Sequence, residues 1–373
     1  MMDAGWVMMV LICLLGFSYT VLIGFFTCGW FCKETHINVN NRSRVSVVLA
    51  VRDEEAMILG LLDDLLRQDY PKELTEIIVV DDHSGDRTGE LVKDFILREK
   101  AHHFHLVKLD ENHESGKKAA LSYGINEASG EIILTSDADC RMGESWISSM
   151  VAFFRENTQM VLGPVAYFPR KGFLNAFQTA EFLGLMASGA GAALAGHPFL
   201  CNGANLAYRK EAFQKTGGFL GNEKYSSGDD VFLLHKIKKS FGRRSILFNK
   251  DEKAIVRTYP VSGLKRFLGQ RARWASKSKG YRDFMAILTA ISVFSYSFAV
   301  ILTCIAGFFH SWLFFLSAGL FLIKIITDFS LMLGITRFAG QSHLMAWYLP
   351  FQLVYPFYIV IAGVLSLFGS KKW

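Results

Sequence analysis

Proline and charge are both scarce in this sequence. Its 373 residues include 7 prolines and 20% charged positions, and neither proline nor glycine recurs in a repeat. With 51% hydrophobic residues, a disordered or fibrous chain is excluded. The six cysteines (Cys13, Cys28, Cys32, Cys140, Cys201 and Cys304) contain no Cys-x-x-Cys pair, which argues against a disulfide framework or a zinc site. No Gly-x-Gly-x-x-Gly follows the first strand-like run and no Walker A loop occurs, so dinucleotide oxidoreductases and P-loop NTPases drop out. A net charge of +6 is too small for a nucleic-acid binder, and no nucleic-acid partner is expected. His102, His103 and His105 read as a solvated turn before a strand rather than as metal ligands.

Apolar residues, by contrast, are in surplus and concentrated. The chain carries 32 phenylalanines and a mean hydropathy of +0.25. From Ala4 to Cys32 no residue is charged, and a bilayer core of about 30 Å needs about 20 helical residues. Asp3 alone precedes this run, whereas Lys33, Arg42 and Arg44 follow it, the pattern of an uncleaved anchor with its C-terminal flank in the cytoplasm. A second uncharged block runs from Phe284 to Ile323 and continues to Ile335, long enough for two helices with a break near His310 and Ser311. A third, Ala346 to Phe368, holds Pro350 and Pro356 and reads as a kinked spanning or re-entrant helix. If all four cross, Lys371 and Lys372 fall outside, against the positive-inside rule. Lys324 and Asp328, at i,i+4 spacing within the third segment, share a helix face and read as a mutually neutralising structural pair, with a polar patch beside an acceptor path as the alternative.

Between Lys33 and Asp283 short β-branched runs alternate with helical periodicity. Val45–Val51, Glu76–Val80, His105–Leu109 and Glu131–Thr135 read as strands, and Glu54–Gln68, Thr88–Glu99 and Lys117–Glu127 as helices. That alternation implies a mostly parallel sheet covered by helices, whose ligands sit at the carboxyl ends of strands. Acidic residues gather at those ends: Arg52-Asp53-Glu54, Asp81-Asp82-His83-Ser84 and Asp137-Ala138-Asp139. If strand geometry persists beyond Thr135, Asp137 and Asp139 project to the same side. Carboxylates facing a phosphorylated ligand recruit a divalent metal, because acid and phosphate otherwise repel. Gly116-Lys117 opens a helix, where backbone N–H groups and an ammonium can meet phosphate oxygens. Asn202-Gly203-Ala204-Asn205, Gly228-Asp229-Asp230 and Gln270-Arg271-Ala272-Arg273-Trp274 follow in order.

In that ordered set, the segment from Val45 to about Tyr281 resembles a membrane-bound family 2 glycosyltransferase with the GT-A fold. The branch it resembles carries Asp, Asp-x-Asp, a further Asp and Gln-x-x-Arg-Trp, and includes cellulose, chitin and hyaluronan synthases and ceramide glucosyltransferase. The resemblance implies an α/β fold, a GT-A (nucleotide-diphospho-sugar transferase) mostly parallel sheet domain with N- and C-terminal transmembrane helices. It assigns donor binding to Asp53, Asp81, Asp82, Lys117, Asp137, Gln270, Arg273 and Trp274, and the metal, Mg2+ or Mn2+, to Asp139 and Asp137. Asp230 matches the catalytic base and Asp229 the acid before it. Two departures stand out: Ala50-Val51-Arg52-Asp53-Glu54 lacks the usual Pro and Asn, and Phe199-Leu200-Cys201-Asn202-Gly203 differs from the polymer synthases' Phe-Phe-Cys-Gly.

The expected organisation is an anchor at 4–32, a cytoplasmic GT-A domain at 33–261 and an amphipathic interfacial segment at 262–283. Transmembrane helices follow at 284–309 and 311–335, with a transmembrane or re-entrant helix at 346–368. Lys265, Arg266, Arg271, Arg273, Lys277, Lys279 and Arg282 would set the interfacial segment against anionic headgroups. The Gly- and Ala-rich run Phe173–Leu194, with Glu181 near its middle, is expected to pack inside the catalytic domain. Asp230 doubles as a candidate N-cap of the helix running to Lys239.

The expected activity is inverting transfer of a sugar from a UDP-sugar or similar donor to a lipid-linked or cell-surface glycan hydroxyl, at the cell inner membrane, with membrane lipids as neighbours. A processive polysaccharide synthase is the alternative within the same chemistry. From another class, a non-catalytic nucleotide-sugar-binding subunit is disfavoured by the presence of both the Asp-x-Asp and a base. A transporter is disfavoured by the large soluble domain.

Overall fold

A computed structural model describes residues 4–32, 41–110, 115–221 and 228–367. Lys33 and the Lys371–Lys372 pair lie outside the described residues. The chain divides into a helical unit (Met1–Lys33, Pro169–Phe199 and Pro260–Trp373) and a sheet unit (Glu34–Phe168 and Leu200–Tyr259).

In chain order the elements are α1 (Ala4–Cys32), β1 (Val45–Val51), α2 (Ile58–Leu66), β2 (Thr75–Asp81), α3 (Thr88–Arg98), β3 (Phe104–Lys108), α4 (Lys117–Glu127), β4 (Ile132–Ser136), α5 (Trp146–Val151), β5 (Met160–Leu162) and β6 (Val165–Tyr167). They continue with α6 (Phe173–Leu194), β7 (Leu206–Arg209), α7 (Lys210–Lys215), α8 (Asp229–Phe241), β8 (Ile246–Phe248), β9 (Val256–Thr258), α9 (Leu264–Ser276), α10 (Phe284–Ala306), α11 (Trp312–Phe338) and α12 (Tyr348–Leu367).

The sheet unit is built on a seven-stranded sheet of order β3-β2-β1-β4-β7-β5-β8, with β6 and β9 as a separate parallel pair. β1 pairs in parallel with both β2 and β4, while β7 runs antiparallel to β4 and β5. β1 and β4 are near-continuous apolar runs because helices cover a parallel sheet on both faces. The chain leaves β1 in one direction to β2 and β3, then returns to β1's other side as β4, so a topological switch point lies at β1/β4. Register aligns the exits: Val51 lies opposite Asp81 and Leu49 opposite Ser136.

α4 can lie on β1 and β2 only because residue 124 is glycine. A Cβ there would come within 2.6 Å of Val48 Cγ1 and 2.8 Å of Val80 Cγ2. Lys117, in the first turn of α4, is aimed by that close approach. Gly124→Val is expected to cost about 1–3 kcal/mol through overpacking. Thermal unfolding of the detergent-purified chain, read together with donor affinity, checks both the packing and the placement of Lys117.

Four helical stretches of the helical unit are long and apolar enough to cross a membrane: Met9–Phe31, Phe284–Ala306, Trp312–Phe338 and Ser342–Leu367. The expectation that Phe173–Leu194 packs inside the catalytic domain is corrected, because α6 belongs to the helical unit and packs on α1 and α11. Small residues explain it. A Cβ at Gly29 would sit 2.0 Å from the Gly191 carbonyl oxygen, so the α1 and α6 backbones meet where no side chain fits. Lys324 and Asp328 form the expected ion pair on α11. Tyr19 of α1 donates to Asp328 Oδ1 at 2.8 Å, and Lys324 Nζ lies 4.2 Å from the centre of the Tyr355 ring on α12, so one buried pair ties three helices.

Candidate active site

The strand exits of the sheet unit assemble the acidic residues through backbone contacts. After β1, Asp53 takes a left-handed conformation (φ 54°), and its Oδ1 accepts from Gly85 N at 2.8 Å. Asp81, the last residue of β2, is buried and accepts from Ser84 N at 3.0 Å. Asp82, also buried, accepts from Gly116 N at 2.9 Å, which docks the start of α4 onto the β2 exit. His83 Nδ1 lies 2.9 Å from Asp82 Oδ1 and its Nε2 lies 2.8 Å from the Asp110 carbonyl. Two acceptors on one imidazole favour the doubly protonated ring, and the hydrogen bond to Asp82, then that to Asp110, raises the His83 pKa.

Lys117 pairs with Asp137 just past β4. Burial works against the Lys117 ammonium, but Asp137, followed by Asp230 and Asp229, outweighs it and holds the pKa above the usual lysine range. The strand does not persist to Asp139, contrary to the same-side expectation. β4 ends at Ser136, and a turn closed by Cys140 N to the Asp137 carbonyl, 3.1 Å, separates the two carboxylates. Asp137 therefore meets Lys117, while Asp139 Oδ2 accepts from Thr258 Oγ1 at 2.9 Å.

Asp229 and Asp230 form the first turn of α8, where the helix dipole favours negative charge. Gly228, not Asp230, occupies the cap position. Asp230 Oδ2 accepts from Gly203 N at 2.8 Å and its Oδ1 from Val231 N at 2.8 Å. The Gly203 loop is itself fixed to β4, since Ser136 Oγ donates to the Ala204 carbonyl at 2.9 Å. Fully buried Asn205 anchors the same loop by accepting from Trp146 Nε1 and donating to the Pro164 and Ala254 carbonyls.

Two residues here were not singled out as functional from the sequence. Glu54 is pushed up to about 7, first by burial and then by the charges of Asp139, Asp137, Asp86 and Asp53. Lys118 Nζ lies 3.0 Å from Asp229 Oδ1. Its adjacency to Lys117 was the available signal, but which lysine faces which acid depends on α4's rotation.

Gln270, Arg273 and Trp274 lie on α9 of the helical unit, organised around Arg271. Arg271 donates from Nε to Glu181 Oε2 at 2.8 Å and from Nη1 to Gln270 Oε1 at 2.6 Å, and its guanidinium lies 4.2 Å from the Trp274 ring centre. Tyr358 of α12 donates to Glu181 Oε1 at 2.8 Å.

Among the described residues no three His, Cys, Asp or Glu side chains form a metal cage. The donor set fits an ion held by one or two carboxylates plus substrate phosphates. Asp139 is raised first by burial and then by Asp137, and with Glu54 it marks an excess of negative charge that a divalent cation would relieve.

Residues 46–217 match the model of glycosyl transferase family 2, and residues 132–362, more than half the chain, match that of glycosyl transferase family group 2. The chain belongs to the family 2 glycosyltransferases. This glycosyltransferase is 31% identical over 190 residues to a poly-β-1,6-N-acetyl-D-glucosamine synthase of Staphylococcus epidermidis, covering 50% of this chain and 43% of that protein. It is 32% identical over 158 residues to the synthase of the same name from Staphylococcus aureus, covering 41% and 36%. The match therefore spans less than half the length of either relative. Among solved structures, the mannosyltransferase PcManGT from Pyrobaculum calidifontis, in complex with GDP-Man and Mn2+, aligns with a TM-score of 0.64 at 18% identity, over 98% of this chain and 99% of that one. At that identity the likeness shows the fold, and the GT-A expectation stands.

Proposed function

We infer that this glycosyltransferase moves a sugar, with inversion, from a nucleoside-diphosphate donor to a hydroxyl of a lipid-linked or glycan acceptor, with its sheet unit on the cytoplasmic side of the inner membrane. The observation that carries this reading is the gathering of Lys117, Asp137, Asp139, Asp229 and Asp230 at one end of the sheet, linked by ion pairs and shared fields. In this reading Asp53, Asp81 and Asp82 hold the nucleoside. Lys117 and the start of α4 face the diphosphate. Asp139 and Asp137 would hold Mg2+ or Mn2+, which would supply charge stabilisation for the departing diphosphate. Asp230 takes the proton of the acceptor hydroxyl, a poor nucleophile at neutral pH. No second carboxylate is assigned as a nucleophile, which favours direct displacement. Gln270, Arg273 and Trp274 are assigned to the donor on their sequence pattern, with Trp274 as a stacking surface that excludes water.

The relatives' names favour an N-acetylhexosaminyl donor, and they also support the second reading, a processive polysaccharide synthase. The test is nucleoside-diphosphate release by the detergent-purified protein across UDP- and GDP-sugars, with Mn2+ or Mg2+, with and without membrane lipid extract. Release with one donor, dependent on metal, is the expected result, and product chain length separates single transfer from polymerisation. Absence of both release and nucleotide-sugar binding would sink the reading.

A further inference from the structure

α4 begins with two consecutive lysines, and each meets a different acid. Lys117 turns to Asp137 at the β4 exit, and Lys118 Nζ lies 3.0 Å from Asp229 Oδ1 in the first turn of α8. Both partners of the second pair are mostly buried, with side chains 22% and 13% exposed, so solvent screens the contact little. Asp229 is bonded in sequence to Asp230, the carboxylate assigned as base, which is clamped by Gly203 N and Val231 N. Two adjacent carboxylates at one helix start raise each other's proton affinity, and a cation on the first relieves the second.

We propose that Lys118 is a positioning residue for sugar transfer: its ammonium pairs with Asp229 and so sets the charge beside Asp230, the carboxylate assigned to take the acceptor's proton. The inference rests on the proposed glycosyl-transfer reading and deepens it. Among the described residues, the charged groups acting on Asp229 are Lys118 and Lys117 on α4 and Asp230 on α8, and Lys117 in turn pairs with Asp137 at the β4 exit. Burial is the first cause raising the Asp229 pKa, and Lys118 is the first group opposing it. In this proposal Lys118 acts through Asp229, and its effect is electrostatic rather than steric.

The test uses Lys118→Met and Lys118→Arg in the full chain. In the pH profile of kcat/KM, the acid limb reports the base of the free enzyme. Loss of the cation should move that limb to higher pH in Lys118→Met, and Lys118→Arg should restore it. A uniform fall in rate with an unmoved limb overturns the proposal.

A second measurement needs no activity. Burial already raises the Asp229 pKa in the folded chain, and loss of Lys118 raises it further. The thermal deficit of Lys118→Met relative to wild type should therefore be small at acid pH, where the carboxyl is protonated, and grow as pH rises. In an Asp229→Asn background that growth should vanish. A deficit independent of pH, or one whose growth persists in the Asp229→Asn background, refutes the coupling. A wild-type protein without transfer activity would count against the glycosyl-transfer reading, while the thermal series still decides the Lys118–Asp229 coupling.

Discussion

Asp230→Asn is expected to lower kcat about 10²–10⁴-fold, the usual contribution of a positioned general base. The loss should fall on turnover rather than on donor affinity, since the amide keeps the side chain's shape and an oxygen able to accept from Gly203 N. The other contact, from Val231 N, is lost because an amide NH2 group cannot accept a hydrogen bond, costing about 1–2 kcal/mol of stability. Steady-state kinetics with the donor found active, alongside thermal unfolding, separate these effects. A variant with wild-type turnover would show that Asp230 is not the base, whereas a variant that matches wild type in a complementation test would favour the reading in which the chain is a non-catalytic nucleotide-sugar-binding subunit.

Single removal of either partner in the buried Glu181–Arg271 pair should be the most destabilising change in the helical unit. The two side chains are 3% and 2% exposed, and each remaining charge would be stranded in an apolar surround of Phe177, Phe267 and Tyr358. Arg271→Ala or Glu181→Ala should cost about 3–5 kcal/mol, whereas replacing both with methionine should cost far less, because no uncompensated charge remains. Tyr358→Phe removes only the hydroxyl that donates to Glu181 and should cost about 1.5–3 kcal/mol. Thermal inactivation of the four variants in detergent ranks them. The methionine pair carries a further expectation. It should fold yet lose activity, since Arg271 also holds Gln270 by a hydrogen bond and Trp274 by its ring face.

Much of the site was legible because its parts sit at strand exits. A β-branched run followed by paired acids marks such an exit, and a parallel sheet brings successive exits to one edge; hence Asp53, Asp81, Asp82 and Asp137 could be grouped without coordinates. Lys117 was legible for a similar reason, as the first residue of a helix beginning with Gly116. Asp137 and Asp139 were legible as a pair but not in their directions. Period-two alternation holds only within a strand, and the turn after Ser136 sends one to Lys117 and the other to Thr258.

Composition and pattern by themselves determined the four apolar helices, the α/β alternation, the order of the acidic motifs and the family they resemble. These are properties of local runs, read from periodicity and from the length needed to cross a bilayer. Tertiary structure alone decided that α6 leaves the sheet unit to pack on α1, because that depends on two glycines, Gly29 and Gly191, meeting across 162 positions of sequence. It alone decided that Arg271 is buried on Glu181 while the other basic residues of α9 are not buried. It also decided that Lys118 rather than Lys117 forms the ion pair with Asp229. Charge has no periodicity that names its partner, and a pairing over long sequence separation is set only when helices have settled against one another.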